Sequence, residues 1–177
     1  IRFAWGIPMI DRRHGVGCLL LSLMLAGCAS PTTCDEPLSG DSCRDRQLLY
    51  QNDMLQAKML VMSGDMESHE LANALLRRAA SEDERGEVEF YQAILMIREG
   101  PQTEEVLGKL EAAAEKQQPY AVALLYRIWS QPYLVDEADP IRAEEYRADY
   151  AELDVAKSGY PSFEKALELV DQLVQMP

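Results

Sequence analysis

Basic residues and histidine are scarce in this chain. Its 177 residues include 17 lysines and arginines against 30 aspartates and glutamates, a formal net charge of −13, and only two histidines. An acidic surface repels nucleic-acid phosphates and anionic lipid headgroups, so we expect neither as a partner. Two explanations of the charge stay open: recognition of a basic protein, or solubility alone.

The signatures of catalytic and metal sites are also missing. Beyond residue 27 the one histidine is His69, and a zinc-protease helix would need a second histidine at the position of Asn73. No serine stands in a Gly-x-Ser-x-Gly turn, and no glycine-rich loop suits a phosphate. Asp136, Glu137 and Asp139 lack the spacing and the glycine of a calcium loop. We therefore expect no catalytic residue, no metal site and no cofactor, with His69 as an exposed helix residue.

No stretch alternates apolar and polar residues as a half-buried strand does. From Asp41 onward, apolar residues recur instead every three or four positions, which predicts an all-α fold. Gly64 and Gly159 mark helix ends, and Pro140, preceded by the capping residue Asp139, marks a helix start. The predicted helices cover about 43–62, 68–80, 86–99, 103–114, 119–131, 140–158 and 163–173.

Each predicted helix carries one apolar stripe that we expect to be buried. In the first helix, the stripe consists of Leu48, Leu55, Met59 and Met62. In the other helices, the expected core residues are Leu71, Leu75, Leu76, Ala79, Phe90, Ile94, Ile97, Val106, Leu107, Leu110, Ala114, Leu124, Leu125, Ile128, Ala143, Leu153, Ala156, Leu167, Val170 and Leu173.

Aromatic residues make up only 7% of the chain and concentrate in its C-terminal part. Trp129, Tyr146 and Phe163 are expected in the core. Tyrosine combines a large contact area with a polar tip, which suits a partner-binding surface. Three of the other tyrosines and two carboxylates of an acidic loop form the predicted partner-binding set, which is Tyr126, Tyr133, Asp136, Glu137 and Tyr150.

Long apolar runs are absent, because the run from Val16 to Leu25 is about ten residues long and a spanning helix needs about 20. This run follows two arginines and ends at Leu25-Ala26-Gly27-Cys28. The segment resembles a bacterial lipoprotein signal peptide. The resemblance implies translation from Met9, cleavage after residue 27 and acyl chains on Cys28. Since Ala29 rather than aspartate follows, it also implies a location at the periplasmic face of the outer membrane.

Cysteine is scarce too. Of four cysteines, Cys18 falls in the predicted signal and Cys28 carries lipid, which leaves Cys34 and Cys43. Turn-forming residues lie between them, so this pair predicts a structural disulfide in an oxidising compartment. A redox role would favour the tighter Cys-x-x-Cys spacing. We expect three regions: a signal peptide over 1–27, a lipidated tether with the disulfide loop over 28–42, and one helical domain over 43–177.

Three segments share one order of residues: alanine near a helix end, a polar turn, then an apolar position of the next helix. They start at Leu76 (LRRAASEDERGEVEF), Leu110 (LEAAAEKQQPYAVALL) and Leu153 (LDVAKSGYPSFEKAL). Their alanines Ala80, Ala114 and Ala156 are separated by 34 and 42 residues, spacings typical of helical-pair repeats. The pattern predicts a short α-solenoid of stacked antiparallel helix pairs, with an irregular helical bundle as the alternative.

Over about residues 66–175, these segments resemble the Sel-like subclass of tetratricopeptide-type repeats. The chain departs from that pattern at Tyr126, where glycine is usual, and at Gln117, where a turn glycine is expected. The resemblance implies a non-enzymatic scaffold or adaptor that binds another envelope or secreted protein. It leaves open a periplasmic immunity protein that neutralises a secreted toxin, such as a phospholipase-like effector of the type VI system. A small envelope hydrolase that uses His69 is the less favoured alternative.

Overall fold

The computed structural model describes residue 34, residues 40–100 and residues 102–175. The predicted signal peptide, the lipidation site Cys28 and most of the predicted tether lie outside the described residues. The chain divides into two compact units, residues 1–35 and 36–177, and the helices described below belong to the second. Both Cys34 and Cys43 are disulfide-bonded, which agrees with the predicted pair.

The prediction of an all-α fold is confirmed, because the described residues form helices and no strand. Helices adjacent in the chain pack in pairs, α1 with α2, α3 with α4 and α5 with α6, while α8 packs mainly on α5. Connections of two and three residues make α1 antiparallel to α2 and α3 antiparallel to α4. The helices are α1 (Asp41–Ser63), α2 (Met66–Ala79), α3 (Glu87–Glu99), α4 (Thr103–Glu115), α5 (Pro119–Ser130), α6 (Pro140–Glu152), α7 (Asp154–Ser158) and α8 (Phe163–Gln175), with a short 3-10 helix at Ala80–Glu82.

Most helix ends lie where local chemistry predicts them. α1 ends at Gly64, whose φ of 72° is in the left-handed region. The Asp139 carboxylate accepts hydrogen bonds from the N–H groups of Ile141 and Arg142, both at 3.1 Å, and Pro140 occupies the first position of α6. These contacts satisfy N–H groups that a helix start leaves without partners.

The prediction of one helix over 140–158 is wrong. α6 ends at Glu152, and Leu153 adopts an extended conformation with φ −66° and ψ 146° before α7 begins. The Leu153 N–H still donates to the carbonyl of Tyr150, at 3.1 Å, so the break leaves this donor satisfied. The change of direction brings the Leu153 side chain into the core.

The predicted buried face of α1 is also wrong. Leu48, Leu55, Met59 and Met62 are 56%, 60%, 64% and 56% exposed. A second set, at the same helical spacing, is buried instead against α2 and α3, and its small members let the helices approach closely. That set comprises Cys43, Asp53, Met54, Ala57 and Val61. On α2, the predicted core residue Leu71 is likewise 55% exposed.

A close approach between the start of α3 and the end of α4 requires a glycine. Gly86, just before α3, has φ +70°, and a Cβ atom there would lie 2.7 Å from the carbonyl oxygen of Ala113 in α4. Ala113 itself is fully buried, as is Ala79, 34 residues earlier. The predicted alanine positions are therefore wrong by one residue, since Ala80 is exposed and Ala114 is only half-buried.

A buried carboxylate joins α1, α3 and α4 beside this contact. Asp83 accepts hydrogen bonds from the Tyr50 hydroxyl at 3.1 Å and from the Val88 N–H at 2.8 Å. Lys116 donates to the Asp83 carbonyl at 3.1 Å and to Glu89 at 2.7 Å. Burial alone raises the pKa of Asp83, but the hydrogen bonds that it accepts, first that from Val88, outweigh burial and hold its pKa below the usual value.

The expectation that His69 is exposed is wrong, because it is only 2% exposed. It shares the inner face of α2 with Ala72, Leu76 and Ala79. Its Nδ1 lies 3.3 Å from a carboxylate oxygen of Glu99, yet neither ring nitrogen has a hydrogen-bond partner. A buried polar group without a partner lowers stability by about 1–3 kcal/mol.

Gln117→Gly is expected to raise the free energy of unfolding by about 0.5–1 kcal/mol. Gln117 has φ 62°, a conformation in which a Cβ atom is unfavourable and glycine is not. Chemical denaturation with urea measures the change. The matched control is Gln131→Gly, since Gln131 is exposed with φ −137° and glycine there gives no such gain. A loss of stability in Gln117→Gly would show that the side chain matters more than its backbone.

His69→Leu is expected to leave the free energy of unfolding unchanged or to raise it by about 1 kcal/mol, because it removes two polar atoms that have no hydrogen bond. His69→Ala should instead lower it by about 2 kcal/mol or more, because it leaves a cavity. Thermal and urea unfolding compare the two variants. Glu99→Gln, at the half-exposed neighbour, serves as the control. If His69→Leu and Glu99→Gln both lowered the free energy of unfolding by a similar amount, the ion pair between His69 and Glu99 would stabilise the fold.

Candidate protein-binding surface

The structure separates the residues predicted to bind a partner. Tyr150 is 1% exposed, and its hydroxyl donates to the Pro161 carbonyl at 2.8 Å. Its ring packs edge-on against Phe163 with the centroids 5.1 Å apart. The prediction of Tyr150 as a surface residue is therefore wrong, because one internal hydrogen bond satisfies its polar tip and lets the ring enter the core.

Tyr126 is half-buried and also packs on Phe163, with a centroid distance of 5.0 Å and an interplanar angle of 82°. This contact joins α5 to the start of α8. The ring occupies the position at which the Sel-like pattern has glycine, so here the position serves helix packing. Tyr126 can offer a partner only the exposed part of its ring.

Trp129, Tyr146 and Phe163, which were predicted to lie in the core, are half-buried. The guanidinium group of Arg142 lies 4.0 Å from the centroid of the Trp129 ring, within the range of a cation–π contact. Arg142 also donates to Glu111 at 2.7 Å. α4, α5 and α6 are thus joined on the outside by a stacked arginine.

Tyr133 lies in a cleft of about 290 Å³ between the end of α5, the loop that follows and the C-terminal part of α8. The cleft is lined by Arg127, Gln131, Tyr133, Asp171 and Val174. Arg127 donates from Nε and Nη2 to the two carboxylate oxygens of Asp171, at 2.8 and 2.5 Å. Burial, and then the charge of Asp171, raise the pKa of Tyr133, which is therefore a neutral donor at physiological pH.

The acidic loop is held in a defined conformation beside this cleft. The Asp139 N–H donates to the Trp129 carbonyl at 2.8 Å, and the Thr103 hydroxyl donates to the Leu134 carbonyl at 2.9 Å. Leu134 and Val135 pack against the core, while Asp136 and Glu137 are exposed. Tyr133, Asp136 and Glu137 therefore belong to one anchored loop, as the prediction of a shared site requires.

We call the residues of this region the cleft surface, which consists of Arg127, Gln131, Tyr133, Asp136, Glu137 and Asp171. The cleft surface combines the ring of Tyr133, the ion pair between Arg127 and Asp171, and two exposed carboxylates. Such a mixture suits polar and basic side chains of a protein partner. Arg127 and Asp171 were not predictable from the sequence, because 44 residues separate them and neither stands in a recognisable motif.

Arg98 at the end of α3 fixes the α8 wall of the cleft. Its Nε and Nη2 donate to the Leu173 carbonyl at 3.1 and 2.6 Å, and its Nη1 donates to the Val61 carbonyl at the end of α1. Both carbonyls lie in the last turn of their helix, where the i+4 N–H of a continuing helix is missing, and the Val61 carbonyl also accepts from the Gly64 N–H at 3.3 Å. Burial lowers the pKa of Arg98, but an arginine side chain keeps its charge in proteins.

The described residues offer no metal-binding group and no membrane-crossing helix. Among them, no three histidine, cysteine, aspartate or glutamate side chains are grouped so as to hold a metal ion. Their helices are all too short or too polar to span a bilayer.

Arg98→Met is expected to lower the free energy of unfolding by about 2 kcal/mol, because charged hydrogen bonds to two helix ends are lost. Arg98→Lys should recover only part of this, because an ammonium group lacks the planar fork. Urea denaturation measures both variants against Arg77→Met, at an exposed arginine on α2. Equal stability of Arg98→Met and Arg77→Met would show that the bridging role is wrong.

Comparison of the chain with known protein families, curated proteins and solved structures finds no significant match.

Proposed function

We propose that this protein is a non-enzymatic, lipid-anchored binding protein of the bacterial envelope, at the periplasmic face of the outer membrane. It acts as a scaffold or adaptor that holds another envelope or secreted protein on the cleft surface. The single observation that carries this proposal is the anchored loop, which presents Tyr133 in a cleft and two exposed carboxylates next to it. The anchor itself rests on the signal-peptide pattern that ends at Cys28.

The burial of His69 favours binding over hydrolysis. The hydrolase hypothesis needs the His69 ring to contact a substrate, and only 2% of that residue is exposed. A general base must come within hydrogen-bond reach of the proton that it removes. Tyr133 and its charged neighbours, by contrast, are at the surface and combine the residue types that dominate protein interfaces.

The acidic loop favours one specific alternative within the same class. Asp136 and Glu137 add to a body whose residues 64–177 carry 11 basic and 24 acidic side chains. Such a surface attracts a basic protein and speeds its association. An immunity protein that blocks a basic secreted toxin would use the same residues, so the identity of the partner separates the two functions.

Capture from the envelope tests the proposal directly. The lipidated protein with a C-terminal tag is recovered from the producing strain in mild detergent, and mass spectrometry identifies the proteins that accompany it. An envelope-assembly or export component supports the scaffold function, and a secreted toxin supports the immunity function. Recovery of no specific protein contradicts both.

Tyr133→Ala is expected to weaken binding of the captured partner at least tenfold, because truncation of a central aromatic residue commonly costs about 2 kcal/mol of binding free energy. Tyr160→Ala is the matched control, since Tyr160 is a 70% exposed tyrosine outside the cleft surface. The double variant Asp136→Asn, Glu137→Gln should mainly slow association and reduce its salt dependence. Binding kinetics on immobilised partner give these values. Unchanged affinity in Tyr133→Ala would place the binding surface elsewhere.

A further inference from the structure

α1 has two apolar faces, and the described part of the chain covers only one of them. We define the outer stripe as Leu48, Leu55, Met59 and Met62, each more than half exposed. The exposed residue Asn52 fills the one gap in the stripe. Positions 48, 52, 55, 59 and 62 then alternate in steps of four and three residues, which is the spacing of a coiled-coil seam.

The outer stripe is large for a surface left in water. Leu49, Met66 and Leu71 are also about half exposed. The four residues of the outer stripe and Leu49, all on α1, each expose roughly 100 Å², so α1 alone offers roughly 500 Å² per copy and a pair about 1,000 Å², the lower bound for a specific interface. Monomeric proteins rarely expose contiguous apolar patches of this size. A terminal helix pair of a solenoid would ordinarily present a polar outer face.

The segment just before α1 cannot supply a matching cover. Residues 28–40 contain one large apolar side chain, Leu38, among small, polar and acidic residues. A seam of four apolar residues over four helical turns needs a partner with the same spacing. α1 itself has that spacing, so a second α1 is a complementary partner.

Charge also favours a second copy over a basic or acidic partner. α1 carries three basic and three acidic side chains, Arg44, Arg46 and Lys58 against Asp41, Asp45 and Asp53, whereas residues 64–177 carry a net charge of −13. Two copies that meet through α1 therefore bring together the parts of the chain that carry no net charge. Between Leu48 and Met59 the positions that flank the seam are Leu49, Gln51, Gln56 and Lys58. The one charged member, Lys58, is paired with Glu87 of its own chain at 2.5 Å.

Asn52 indicates the orientation of the pair. With leucine at 48 and 55 in the d positions, Asn52 and Met59 fall at a positions. A single asparagine at an a position sets the register of parallel two-stranded pairs, because two side-chain amides can bond to each other across the axis. From this seam we propose that two copies of the protein pair through α1, in parallel, with Asn52 opposite Asn52.

The mass of the complete mature protein in detergent tests the pairing. Sedimentation of the wild-type protein is expected to give two chains per particle after correction for detergent. Leu55→Glu should give one chain per particle with unchanged helical content, because Leu55 is already 60% exposed. Ile141→Glu is the matched control, since Ile141 on α6 is 78% exposed and its variant should stay paired.

Asn52→Cys tests the orientation in the intact envelope. Parallel pairing places the two new thiols face to face, so an oxidised dimer should form that reduction dissociates, with a 52–52 link found by peptide mapping. Glu145→Cys, on an exposed part of α6, should not form it. A monomeric wild-type protein, or a dimer that Leu55→Glu leaves intact, overturns the proposal. A dimer that does not form the 52–52 link also overturns it. The same holds if Leu55→Glu keeps the mass of the wild-type particle but no longer binds a different protein.

Discussion

The guanidinium group of Arg98 holds together three helices that are distant in sequence. It donates to the last-turn carbonyls of α1 and α8 from the end of α3, over sequence separations of 37 and 75 residues. Stacked helix pairs by themselves contact only their neighbours. Because the Arg98 guanidinium group contacts both α1 and α8, it restricts the separation of these two helices. It also fixes the position of the C-terminal part of α8. The cleft depends on that position, since Asp171 and Val174 line it.

A second constraint acts at the other end of α3. Gly86 leaves no room for a side chain against Ala113, so α3 and α4 approach at backbone distance. The same turn contains Asp83, whose carboxylate caps the start of α3 and accepts from Tyr50 of α1. Sterics and hydrogen bonding thus determine both ends of one helix. Because packed interiors deform little, α3 becomes the reference against which α1, α4 and α8 are placed.

Local chemistry made most helix ends predictable, whereas long-range contacts decided the rest. Asp139 and Pro140 define a helix start without help from any distant residue. Which of the two apolar stripes of α1 is buried depends on the side chains of α2 and α3 that pack against it. Residue spacing within α1 alone therefore could not predict the buried stripe. His69 was predictable in part, because it shares its helix face with Ala72, Leu76 and Ala79. The pairing of Arg127 with Asp171 spans 44 residues and left no local signal.

The cleft surface and the outer stripe share no residue and belong to different helices. A pair formed through α1 would therefore use no residue of either cleft surface. Two linked copies of one binding site convert a second binding event into an intramolecular one, which raises the strength of attachment to a repeated or dimeric partner without any new contact. If each copy carries the proposed lipid anchor, the anchor would add to this effect, because it would restrict both copies to one plane. In such an assembly, the apolar outer stripe of α1 serves self-association, and the acidic remainder of the molecule is left for recognition.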